Sequence, residues 1–229
     1  MTFSQWLGQL NYEWLLTTLV VAAASLLCIC IHETCHGFAA YKLGDPTAKR
    51  MGRLTLNPLK HIDLLGLVMM VTAHFGWAKP VPVDARYFKK PKRDMAITAL
   101  AGPVSNILLT AVAMMVYSVM KCLNHAMGDP AWMEYVLLFF EYMFVLSAGL
   151  AVFNLIPIPP LDGSKVLFSF LPGKIYGTIL KYERYGFLVL FVLVWAGTLS
   201  GTITTMRDWL LDTLWPVCNW PLRLYISNL

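Results

Sequence analysis

Four stretches of this chain are apolar for long enough to cross a lipid bilayer, and no other feature narrows its possible folds so far. They run from about Trp14 to Tyr41, Met95 to Met120, Trp132 to Ile156 and Phe187 to Trp209. A helix rising 1.5 Å per residue needs about 20 residues to cross the hydrocarbon, and each stretch is that long. Composition agrees: 58% of the 229 residues are hydrophobic and 14% are charged, against about 45–50% and about 25% in soluble domains. A chain of this kind has lipid as its solvent. The expected fold is an all-α polytopic membrane protein. It forms one intramembrane domain over 1–229, with a core of about 14–170 and an additional C-terminal helix at about 187–209.

A fifth apolar stretch, Ile62 to Trp77, is short for a span and runs into Lys79-Pro80-Val81-Pro82. A re-entrant hairpin over 62–77 fits it better. Ahead of it, Gly52-Arg53-Leu54-Thr55-Leu56-Asn57-Pro58 alternates and then breaks. That pattern reads as a short membrane-associated β segment at about 52–57. If the hairpin returns to the side it left, residues 42–60, 79–93 and 157–185 share one face, which then holds fifteen of the eighteen Lys and Arg. The positive-inside rule makes that face cytoplasmic and both termini external. The net charge of +5 therefore reflects orientation, and nucleic acid is not an expected partner. No Lys or Arg falls within residues 2–13, so the first apolar run reads as a retained span rather than a signal peptide. The five cysteines form no legible disulfide framework and read as small apolar residues.

The first long run ends in Ile31-His32-Glu33-Thr34-Cys35-His36. Two histidines four apart lie on one helix face, so both imidazoles can reach one metal ion. Glu33 points off that axis, where it can handle a proton without being a ligand. Ionisable groups inside an apolar helix are costly unless paired, which marks the trio as functional. Zinc needs a third protein ligand and an open position. Asp162 is the leading candidate, because it follows Asn154-Leu155-Ile156-Pro157-Ile158-Pro159-Pro160-Leu161. The three prolines deny that segment a regular helix, and irregular backbone at membrane depth belongs beside a cavity. His61, Asp63 and Cys28 compete with it, and Asp162 could instead cap a helix. Gly102-Pro103-Val104-Ser105-Asn106 opens another span, where small residues allow close helix approach and Asn106 can present an amide to a neighbour or a cavity.

These motifs resemble those of the site-2 proteases, intramembrane zinc metalloproteases, in their compact prokaryotic form without a PDZ or CBS domain. The matching elements are His32-Glu33-x-x-His36, Gly102-Pro103-x-x-Asn106, Asn154-x-x-Pro157 and Leu161-Asp162-Gly163, with Leu54-Thr55-Leu56-Asn57-Pro58 and His61-Ile62-Asp63. The resemblance implies that His32, His36 and Asp162 hold one Zn2+ per chain and that Glu33 is the catalytic base. It also implies that Asn154 and Asn106 position the substrate backbone or the developing oxyanion. The expected substrates are transmembrane segments of membrane-anchored regulatory proteins, and the expected location is a prokaryotic inner membrane. A strand at Arg53–Asn57 would then be a surface for capturing unwound substrate by strand addition. The alternatives are a catalytically inactive membrane-protein-binding relative and a metal transporter, which would not need a base beside its metal.

Overall fold

In the computed structural model, residues 12–63, 66, 78–172, 185–186 and 188–227 are described. Among them, three helices are long and apolar enough to cross a membrane: α1 (Tyr12–Lys42), α3 (Pro91–Ala126) and α4 (Ala131–Leu155). A four-residue helix, α2 (Thr47–Arg50), follows α1, and α5 (Asp162–Ser169) follows α4. Then come α6 (Leu188–Trp195), α7 (Ser200–Cys218) and α8 (Trp220–Ile226).

The packing is inside-out by the standards of a soluble protein. The most buried apolar residues are small: Ala24, Ala40, Ala48 and Ala148 are 0% exposed, while Trp14, Leu108 and Trp195 face outward. Small residues let membrane helices approach closely where lipid provides no hydrophobic drive to associate. Ala24 and Cys28 of α1 meet Ala113 of α3 and Met143 of α4 in one cluster. These three helices form the frame into which the rest is set.

Helix ends decide where the polar groups lie. α1 stops just short of Gly44, which takes φ +110°. Gly44 N–H then closes on the Tyr41 carbonyl and Asp45 N–H on that of Ala40, the paired bonds of a Schellman stop. The same device breaks the continuous helix expected at about 187–209 into a bent pair, which counts as a fourth candidate span if the two pieces are taken together. Gly197 at φ +70°, with Gly197 N–H on Val194 O and Thr198 N–H on Leu193 O, ends the helix inside the apolar run. α6 and α7 are consequently bent by 85°, and α7 continues to Cys218 rather than ending near Trp209.

Residues 52–57 form no strand; they are turn, bend and irregular backbone. The alternation there is not one of inner and outer faces. Arg53 is buried at 5% exposure because its guanidinium donates to the carbonyls of Lys79 and Pro80, at 2.7 and 3.2 Å. The Thr55 carbonyl is taken by Thr34 Oγ1 and by His61 Nε2, both at 2.8 Å. The Thr55 acceptor is therefore already engaged within the chain. The hairpin expected over 62–77 lies, except for Ile62, Asp63 and Gly66, outside the described residues. Its flanks are paired: Ile62 and Ala78 form an antiparallel bridge, and Lys79 N–H donates to His61 O at 2.8 Å.

Candidate metal centre

The last turns of α1 carry the ionisable trio. His32 and His36 share one face by their four-residue spacing and are 4% and 8% exposed. Their rings meet edge to face, with centroids 4.5 Å apart, and their Nε2 atoms are 3.0 Å apart.

Opposite them, α4 stops at Leu155. The prolines at 157, 159 and 160 have no N–H with which to extend it. The chain turns back and begins α5 with Leu161 in the cap position. Asp162 is therefore the first helical residue rather than the cap, and its carboxylate faces the imidazoles. Asp162 Oδ2 lies 3.2 Å from His32 Nε2 and 3.0 Å from His36 Nε2. The other oxygen, Oδ1, faces Lys165 Nζ at 3.7 Å, one turn further along α5. Gly163 makes the approach possible, since a Cβ there would collide with the Leu155 carbonyl.

These three atoms fit a zinc ion. Tetrahedral bonds of about 2.0 Å set ligand atoms about 3.3 Å apart, close to the 3.0–3.2 Å edges of this triangle. The donor chemistry fits as well. His36 Nδ1 lies 2.7 Å from the Thr98 carbonyl. A carbonyl only accepts, so Nδ1 carries the proton and the Nε2 lone pair is left for a cation. A lone pair and a carboxylate oxygen aimed at one point need a positive charge between them. Among the described residues, the group of His, Cys, Asp and Glu ligand atoms within 4.8 Å of one another is His32, His36 and Asp162. The rival ligands are engaged elsewhere: His61 with Thr55, Asp63 Oδ1 with Gly66 N–H, and Cys28 with the Met143 carbonyl.

Glu33 stands outside that ligand group. Its Oε2 accepts the Val81 backbone N–H at 2.8 Å. Val81 sits between Pro80 and Pro82, so its N–H is the single donor of that tripeptide. Of the two asparagines, Asn154 is half-buried and donates to Leu150 O at 2.9 Å within its own helix. Asn106 is fully buried, with its Nδ2 3.4 Å from His32 Nδ1.

Sequence reading did not single out Thr98, Val81, Arg53 or Lys165 as parts of this site. Thr98 and Asn106 did leave a trace, since each lies four residues from Gly102. A Cβ on Gly102 would strike both imidazole rings, so α3 can lie against the two histidines only with glycine at that position.

Comparison with known proteins points the same way. The model of peptidase family M50 matches residues 118–197, a stretch that includes Asn154 and Asp162. The chain is 37% identical over 209 residues to "Putative zinc metalloprotease YwhC" of Bacillus subtilis, covering 90% of this chain and 86% of that protein. It is 31% identical over 204 residues to "Putative zinc metalloprotease Rip2" of Mycolicibacterium smegmatis, covering 85% and 73%. The Mycobacterium tuberculosis protein of the same name is 30% identical over 199 residues, covering 84% and 73%. No solved structure matches the chain.

Proposed function

This chain belongs to peptidase family M50, the site-2 proteases, and from that premise we propose that His32, His36 and Asp162 hold its zinc ion and that Glu33 is its catalytic base. It is an intramembrane zinc metalloprotease whose substrates are proteins embedded in the membrane. The finer reading is that it cuts within or beside the transmembrane segments of membrane-anchored regulatory proteins. The single observation behind the site assignment is the meeting of two buried Nε2 atoms and one carboxylate oxygen from distant segments, with mutual distances of 3.0–3.2 Å.

When bound, the ion supplies Lewis acidity, which polarises a carbonyl and acidifies water. The protein's residues do the rest. Glu33, with Oε2 anchored on Val81 N–H, keeps Oε1 to take the proton of the attacking water. It then passes that proton to the leaving amine nitrogen. The Asn154 amide is assigned to the substrate backbone or the developing oxyanion, a role worth about 3 kcal/mol for one donor. Lys165 Nζ lies 3.7 Å from Asp162 Oδ1, and Oδ2, the oxygen turned to both imidazoles, is the one that would hold the metal. A helical substrate hides its carbonyls in its own hydrogen bonds, so it must unwind before Glu33 can act.

The proposed setting is a prokaryotic cell membrane, with the basic face cytoplasmic and both termini external. The site lies near the end of α1 that this face surrounds, so the cytoplasm is the shorter route for water. The whole chain acts as one membrane domain. The test is cleavage of a panel of transmembrane peptides by reconstituted protein, with and without a zinc chelator. Zinc-dependent cuts inside the apolar segments are expected. Cleavage confined to soluble loops, or unaffected by removing zinc, would refute the reading.

A further inference from the structure

Along α3, Thr98, Gly102 and Asn106 recur every four residues and so form one stripe. That stripe lies under the two ligand imidazoles. Thr98 O meets His36 Nδ1 at 2.7 Å, Gly102 leaves room for both rings, and the Asn106 amide sits 3.4 Å from His32 Nδ1. We propose that Asn106 is a positioning residue of the metal centre: its side-chain oxygen accepts the Nδ1–H of His32 and so fixes the ring form that offers Nε2 to zinc. This inference rests on the reading of His32 as a ligand.

For Nε2 to bind a metal, the neutral ring must carry its proton on Nδ1. In the structure it is Asn106 Nδ2 that faces His32 Nδ1, which against an Nδ1–H would set donor against donor. The two ends of an asparagine amide have the same shape, so a half-turn places Oδ1 on Nδ1 without disturbing the packing. Asn106 Oδ1 is otherwise a buried atom without a hydrogen-bond partner. The contact with Nδ1 therefore decides which way the amide lies. The residue itself is firmly placed. It is 0% exposed, and its backbone carbonyl accepts from Thr110 Oγ1 at 2.8 Å and Ser147 Oγ at 2.9 Å.

Geometry separates this role from oxyanion binding. Nδ1 and Nε2 occupy different edges of the imidazole, and Nε2 is the atom turned towards His36 and Asp162. An amide on the Nδ1 edge therefore meets the ring at a different atom from the one turned towards the metal ligands. The same helix thus serves both ligands, through a main-chain carbonyl for one and a side-chain carbonyl for the other.

The test compares full-length Asn106→Ala and Asn106→Asp proteins with the wild type. It measures Zn2+ affinity by chelator competition, the visible spectrum of the Co2+-substituted protein, and thermal unfolding without metal. Asn106→Ala should bind Zn2+ about 10–100-fold more weakly and shift the Co2+ bands. Asn106→Asp, whose carboxylate also accepts from Nδ1–H, should restore affinity to within a few-fold of the wild type. Wild-type Zn2+ affinity in Asn106→Ala, with kcat reduced at constant KM, would overturn the proposal in favour of an oxyanion role. Equal loss of Zn2+ in both variants, with equal destabilisation of the metal-free protein, would reduce Asn106 to packing. A His32→Ala protein that keeps stoichiometric zinc would instead remove His32 from the ligand set, which separates failure of the premise from failure of the inference.

Discussion

Glu33 and His32 are adjacent in the chain, yet their side chains face different partners. His32 Nε2 faces His36 and Asp162, whereas Glu33 is turned to Val81 N–H. Glu33→Gln keeps the acceptor oxygen but not the basicity. It should retain stoichiometric zinc while turnover falls by about 10²–10⁴-fold, the usual weight of a general base. Cleavage assays paired with metal analysis check this, and substantial residual turnover would reassign the base. Gly102→Ala should act on the metal instead. The added methyl collides with both imidazoles, so zinc content should fall with activity, and a Gly102→Ala protein with full zinc would contradict the packing. The histidine pair was legible because a four-residue spacing has one meaning on a helix. Asp162 was a candidate through the prolines before it and through Leu161-Asp162-Gly163, and the structure brings its carboxylate to the two imidazoles. The surroundings of Asn106 were not legible, because sequence does not tell which edge of which ring a buried amide meets.

At the scale of elements, the segment bearing Lys79, Pro80 and Val81 is held against the end of α1 from two sides. Arg53 grips the Lys79 and Pro80 carbonyls, and Glu33 accepts the next N–H. Arg53→Met should leave zinc in place but loosen the segment that orients Glu33. With a charged hydrogen bond worth about 1.5–3 kcal/mol, kcat should drop by roughly tenfold or more. Unchanged kcat would show that Glu33 needs no such support. The same arginine explains why a β segment was expected at 52–57 and is not found. Alternation of residue types predicts a strand only when side chains alternate between faces, and Arg53 is buried by its bonds to carbonyls 26 and 27 residues away. The broken fourth span was foreshadowed by Gly197, but an apolar run gives no weight to a single glycine until its φ is known.

At the scale of the whole molecule, the long helices were readable because lipid demands length and apolarity together. Their mutual arrangement was not, since it rests on close contacts among small residues. That arrangement brings the C-terminal end of α1, the N-terminal half of α3 and the start of α5 to one end of the bundle. The orientation proposed above then predicts that a cysteine placed at Lys89 is labelled from the cytoplasmic side. One placed at Asp129, beyond α3, should be labelled from outside; reversed labelling would invert the topology. The assembly also makes one centre from residues 32, 36 and 162, and X-ray absorption at the zinc edge addresses it directly. The wild type should contain one zinc per chain, with two imidazoles and only nitrogen or oxygen neighbours at about 2.0–2.1 Å, and Asp162→Ala should lose the metal or change that spectrum. A sulfur neighbour at about 2.3 Å, or an Asp162→Ala protein with full zinc and an unaltered spectrum, would contradict the centre described here.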